Sequence, residues 1–318
     1  MRNQKTQQQH TLIGLGTFAL LGLVGACVLR QPVAAGLRPR VAGAVCPEGD
    51  EWYLGYAGRG IDHAVLYHNL DDALRSARQA RMLILGNSRV LYAVDQNELR
   101  AFEQRTGISV YCLAFAYGER YEFPQAIIEK HDLRPEWILV NAYPFFKPGL
   151  SVAARQPLAG DAFEARKARF EATAAFHARR FLHRWVPRLS GVDRADGAFY
   201  RSDRDGTIFR SALGSSRGRD PALDLIKPDL SDVDSALGFQ ARMVRRGARL
   251  VLTSVPPIND GYTVELGAKA RLPVVIPEVA DLQTFDGSHL DQDSARRFSA
   301  ALFRQLEGIV QPAAGLQK

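Results

Sequence analysis

Four short apolar runs constrain the fold of this chain more than anything else in it: MLIL at 82–85, ISVYCLA at 108–114, WILVNAY at 137–143 and ARLVLTSV at 248–255. They lack the strict polar alternation of a half-exposed strand. Runs of this kind belong to parallel strands buried on both faces. The segments between them change period and read as helices near 89–105, 122–132 and 232–246, with a last helix from about 291 to 309 and a short fifth strand at 273–276. Strands alternating with helices predict an α/β fold, a three-layer α/β/α sandwich around a mainly parallel sheet. Residues 61–79 add an amphipathic helix, with Ile61, Val65, Leu66, Leu70 and Leu74 on one side. The alternation is interrupted between about 145 and 231. There, 161–186 reads as a surface helix and 200–231 as a polar, irregular loop. One folded domain over 51–310 is expected, carrying an insertion at about 145–231 and followed by a tail at 311–318.

The amino-terminal region has a different character. Residues 11–29, TLIGLGTFALLGLVGACVL, carry no charge and are long enough to cross a bilayer as a helix. MRNQKTQQQH, with Arg2 and Lys5, precedes them, which predicts a signal anchor over 1–29. A Pro-, Gly- and Ala-rich linker at 30–50 would lead to a domain outside the bacterial inner membrane, in the periplasm. Arg30, Arg38 and Arg40 on the far side weaken the positive-inside argument without reversing it. Val24-Gly25-Ala26-Cys27 keeps open a lipoprotein lipidated at Cys27, and cleavage would leave a secreted form. In an oxidising compartment Cys46 and Cys112 could pair, although Cys112 lies in an apolar run that suits a buried thiol. The net charge of +7 is spread along the chain. No zinc-finger spacing, RNP-like motif or basic heptad helix accompanies it, so no nucleic-acid partner is expected, and a GC-rich genome that favours Arg, or contact with anionic lipid or glycan, explains the charge as well. His68, His131, His177 and His183 show no ligand spacing, so neither a metal nor another cofactor is expected.

The chemistry is concentrated in two places. LILGNSRVL, at 83–91, runs from a strand into a helix through Gly-Asn-Ser, and such turns present free backbone N–H groups and a favourable helix dipole to a developing anion. Ser88 at that junction needs a base. TFDGSHL, at 284–290, supplies one: Asp286 and His289 are three residues apart before the last helix, a spacing that lets the carboxylate hold the imidazole Nδ1–H and leaves Nε2 toward a serine. Asp62-His63 is a rival acid–base pair, but adjacent residues on a helix face apart. ALGSSRGRD at 212–220 follows no apolar strand, which makes Ser216 a loop serine.

With these blocks in this order, the chain resembles the SGNH (GDSL-like) hydrolase superfamily, and especially its membrane-anchored bacterial envelope members, over roughly residues 80 to 306 apart from the insertion. The resemblance implies an SGNH/flavodoxin-like fold with Ser88 as nucleophile, His289 as base and Asp286 as acid. It implies an oxyanion hole from Ser88, Gly118 of VYCLAFAYG and Asn141 of ILVNAYPFF. This third block, ILVNAYPFF, departs from the family's Gly-x-Asn-Asp, whereas DGSHL matches the last block closely, and Asn141 could equally be satisfying a buried strand end. The implied activity is that of a serine esterase or O-acyltransferase acting on acyl esters of a polysaccharide or cell-wall glycan. Its expected partners are the acylated glycan or a small ester, the membrane and polysaccharide biosynthesis machinery. A non-catalytic glycan-binding or assembly protein on the same scaffold is the alternative.

Overall fold

In the computed structural model, residues 51–56, 60–116, 118–185, 199–209, 227–257 and 260–311 are described. The described residues begin with β1 (Trp52–Tyr56), pass through α1 (Asp62–Tyr67) and α2 (Arg75–Gln79), and enter the main sheet at β2 (Met82–Leu85). There follow α3 (Ser88–Ala93), α4 (Gln96–Thr106), β3 (Val110–Cys112), α5 (Glu122–Lys130) and β4 (Trp137–Asn141). The interruption contains α6 (Val152–Ala159), α7 (Ala162–Trp185), β5 (Phe199–Ser202) and β6 (Ile208–Phe209). The alternation then resumes with α8 (Leu230–Arg245), β7 (Arg249–Thr253), α9 (Gly261–Ala270), β8 (Val274–Val275) and α10 (Gln292–Val310).

The main sheet has five strands in the order β3-β2-β4-β7-β8, every neighbouring pair parallel. Its side chains divide by the pleat. Leu83, Leu85, Ile138, Val140, Leu250 and Leu252 join one core with α1, α5, α8 and α9. Ile84, Leu139 and Val251 join a second core with α3, α4 and α10. The fold is thus α/β with helices around the sheet, compatible with a three-layer sandwich. Leaving β2, the chain places β3 on one side and β4 on the other, so the carboxyl ends of β2 and β4 frame the crevice that such a reversal opens.

A smaller antiparallel sheet, β1-β5-β6, guards the edge of the main one. Cys112 N donates to Asp205 O at 2.8 Å in the β5–β6 turn, so β3 does not end in a bare edge. Gly206 makes this approach possible: its φ is +71°, and a Cβ there would lie 2.2 Å from Cys112 O.

Several expectations are corrected. The helix predicted over 61–79 is three pieces, because Asn69, Asp71 and Asp72 take left-handed φ values, a conformation that short polar side chains tolerate. The stretch 89–105 divides where Asp95 caps α4, accepting from Asn97 N and Glu98 N. The stretch predicted as a loop from 200 contains β5 and β6, and β1 and α9 were not predicted at all. Residues 1–50 and 312–318, with the membrane segment, Cys27, Cys46 and most of the tail, lie outside the described residues, as does Ser216. Among the described residues no helix is long and apolar enough to cross a membrane. Cys112 is buried and free.

Candidate active site

Strand β2 delivers Gly86-Asn87-Ser88 to the crevice. Gly86 has φ +147°, and a Cβ on it would fall 2.8 Å from Val90 Cγ1 and 2.9 Å from Asn141 Cβ, so the close approach of the β4 end requires glycine. Asn87 is the N-cap of α3: its Oδ1 accepts from Arg89 N at 2.9 Å, and its Nδ2 donates to Tyr143 O at 2.9 Å. This double anchorage fixes Ser88 as the first residue of the helix, half-buried. The Ser88 N–H, one of the helix's terminal donors, has no partner among the described residues.

The turn before α10 brings the base. His289 Nε2 lies 2.8 Å from Ser88 Oγ, and His289 Nδ1 lies 2.7 Å from Asp286 Oδ2. A carboxylate can only accept, so Nδ1 carries the proton and Nε2 is left to accept from the serine hydroxyl. The other carboxylate oxygen, Asp286 Oδ1, accepts from Ser288 N and His289 N, both at 2.9 Å. Burial pushes the Asp286 carboxyl up, but the bonds from His289 and Ser288 outweigh it and hold the group below the ordinary range. Gly287 N donates to Thr284 Oγ1 and Phe285 N to His289 O, which closes the turn. The imidazole is held by rings on two sides, Phe285 stacked at 5.5 Å and Tyr92 edge-on at 4.7 Å.

The two remaining oxyanion candidates differ from each other. Gly118 has φ +63°, open space where a Cβ would stand, and an N–H with no partner among the described residues. Asn141 is buried, and its amide is already engaged. Its Nδ2 donates to Asn87 Oδ1 at 3.3 Å and to Tyr143 O at 3.4 Å, while its Oδ1 accepts from Val255 N at 3.2 Å. It joins the ends of β2, β4 and β7.

Asp62 and His63 do not face apart. Asp62 opens the short helix α1 and folds back, placing its Oδ1 3.0 Å from His63 Nδ1. His63 Nε2 lies 3.0 Å from Glu119 Oε2, and Asp62 Oδ2 accepts from Arg201 Nη1 at 2.9 Å. All four side chains are fully buried. With a carboxylate at each ring nitrogen His63 must carry both protons. Burial opposes the charge, but Asp62 and then Glu119 raise the imidazolium's pKa to about 9. This pair is therefore tied to Glu119 and Arg201 in a buried charged cluster, apart from the Ser88–His289 contact. His68 and His131 hydrogen-bond to the carbonyls of Pro157 and Tyr67. No group of three or more His, Cys, Asp or Glu that could hold a metal is found among the described residues. The hollow at the other end of the sheet, bounded by Trp137, Arg249 and Arg271, is lined by no nucleophile or acid–base pair.

No protein-family model matches the sequence, and no curated protein matches it significantly. Sequence reasoning overlooked Asn87, although Asn immediately before a helix is an N-cap signal. It also overlooked the ring contacts of Tyr92 and Phe285, which carry no signal in one dimension.

Proposed function

We propose that this protein is an SGNH-type serine esterase or O-acyltransferase of the bacterial envelope, acting on acyl esters of a polysaccharide or cell-wall glycan. The observation that carries the reading is the continuous relay from Ser88 Oγ through His289 to Asp286, with both links below 3 Å. Ser88 Oγ attacks the acyl carbonyl while its proton passes to His289 Nε2. Asp286 holds the ring and offsets the charge that forms on it. The tetrahedral oxyanion faces the N–H groups of Ser88 and Gly118. As it collapses, the departing alcohol takes the proton from His289 and leaves the acyl group on Ser88. Water or a sugar hydroxyl then gives its proton to His289 as it attacks the acyl carbon, and His289 passes that proton to Ser88 Oγ as the serine ester breaks, regenerating the serine.

The three-layer SGNH sandwich fits the parallel five-stranded sheet and its two cores. The envelope location follows from the apolar segment 11–29, with the domain anchored on the periplasmic side. Full-length protein in detergent should hydrolyse p-nitrophenyl acetate, and Ser88→Ala should abolish that turnover. Release of an acyl acid from envelope glycan would mark an esterase, and recovery of a newly acylated sugar would mark a transferase. Glycan binding without any Ser88-dependent turnover would instead support a non-catalytic assembly protein.

A further inference from the structure

Next to the nucleophile stands a cation that the relay does not use. Arg89 is half-buried, and its Nε is shielded from solvent without a hydrogen-bond partner. Among the described residues its guanidinium makes no hydrogen bond and no ion pair. It follows Ser88 directly in the first turn of α3. Burial opposes its charge and pulls its pKa down, and the Asp286 carboxylate partly offsets that. Asp286 is not free to pair with it: one carboxylate oxygen holds His289 Nδ1 and the other holds two backbone N–H groups. Tyr143 is packed edge-on against Tyr262 at 5.0 Å. A guanidinium stays protonated under ordinary conditions, and one that is half-buried without an ion pair of its own gains from an anionic ligand that supplies the pairing charge.

Resting on the acyl-ester reading above, we infer that Arg89 forms an anion subsite beside Ser88, and that the preferred substrate is an acyl ester on a carboxylate-bearing sugar. With Nε turned into the protein, the two Nη groups are left to meet the carboxylate. They would fix the sugar while its ester lies over Ser88. Such a contact is charge-assisted and discriminates strongly against an uncharged analogue.

The test compares O-acetylated methyl glucuronide with its uncharged methyl ester, using full-length protein in detergent. Wild type should favour the acid roughly 10- to 100-fold in kcat/KM. Arg89→Met, which keeps an apolar stem, should bring that ratio to within about twofold of unity, and Arg89→Lys should keep part of it. Equal use of both esters by wild type would overturn the inference. So would a preference retained in Arg89→Met, or an equal loss on both esters, which would assign Arg89 to the transition state instead. Binding of unacetylated methyl glucuronide to Ser88→Ala, followed by calorimetry, gives a readout independent of catalysis. Arg89→Met in that background should abolish the binding. If no ester is turned over yet binding depends on Arg89, the subsite stands and the enzyme reading fails. If esters are turned over but methyl glucuronide does not bind, or binds without Arg89, the subsite fails and the enzyme reading stands.

Discussion

At the scale of single residues, Ser88, His289 and Asp286 are joined by two contacts, and on the proposed reading each member is useful only through the next. Ser88→Ala and His289→Ala should each lower kcat on p-nitrophenyl acetate by about 10⁴-fold or more, and the double variant should be no worse than either. Asp286→Asn should cost less, through a misoriented imidazole. Steady-state kinetics on the four variants checks this pattern, and losses that multiply in the double variant would contradict it. Asn141 belongs to another category. Its amide joins three strand ends, so Asn141→Ala should reduce stability by about 1–3 kcal/mol. The accompanying change in kcat per folded molecule should be smaller than the 10²–10³ typical of a lost oxyanion donor. Thermal unfolding and kinetics on one preparation check both numbers. That Ser88, His289 and Asp286 would meet was legible in the sequence because a strand–turn serine and an Asp-x-x-His turn are local patterns. The bonding of Asn141 was not, since it depends on which strand ends lie side by side. Asp62-His63 was misread for a related reason. The rule that adjacent helical residues diverge fails where the first of them starts the helix and bends back.

At the scale of elements, the buried cluster of Asp62, His63, Glu119 and Arg201 ties α1, the segment after β3 and β5 to one another. Glu119 also accepts from Ser151 Oγ ahead of α6 and from Arg120 N. Arg201 reaches Ala114 O at 2.9 Å and Cys112 O as well. The loop that carries Gly118 is thereby pinned through its neighbour. Removing one charge from such a cluster leaves its partner buried and uncompensated, so Arg201→Met should cost about 3–5 kcal/mol in denaturant unfolding. The imidazolium of His63 also makes stability depend on pH. Its pKa is about 9 in the fold and near 6.5 in an unfolded chain. Between those values the unfolded chain has lost the proton and the folded one retains it. The contribution is therefore complete below pH 6.5 and lost as pH rises through 9, a change on the order of 3 kcal/mol. Unfolding free energies measured from pH 6 to 9.5 should show this fall, and His63→Gln should flatten it. The sequence revealed the parallel strands because their apolar runs are continuous. It did not reveal β1, β5 and β6: the pairing of β1 with β5 sets Trp52 against Ser202, far away in sequence, and β5 and β6 are short strands on either side of a polar Asp- and Gly-containing turn.

At the scale of the whole molecule, a parallel α/β domain with its crevice at the β2–β4 reversal follows an amino-terminal segment whose sequence reads as a membrane anchor. Full-length protein should partition with membranes, and alkaline phosphatase fused after residue 60 should be active. An inactive phosphatase fusion beside an active cytoplasmic reporter at the same position would contradict the topology. The sheet order could not have been read from the sequence, because apolar runs announce strands without saying which lie side by side. Yet it is this order that sets Ser88 in a crevice within reach of a turn 201 residues later. Everything functional rests on Ser88 being an activated nucleophile. The most direct measurement is mass-spectrometric mapping of the protein after treatment with a fluorophosphonate. One adduct is expected, on Ser88, forming at least about 10²-fold more slowly in His289→Ala. An unmodified Ser88, or labelling of Ser88 at the same rate without His289, would contradict it.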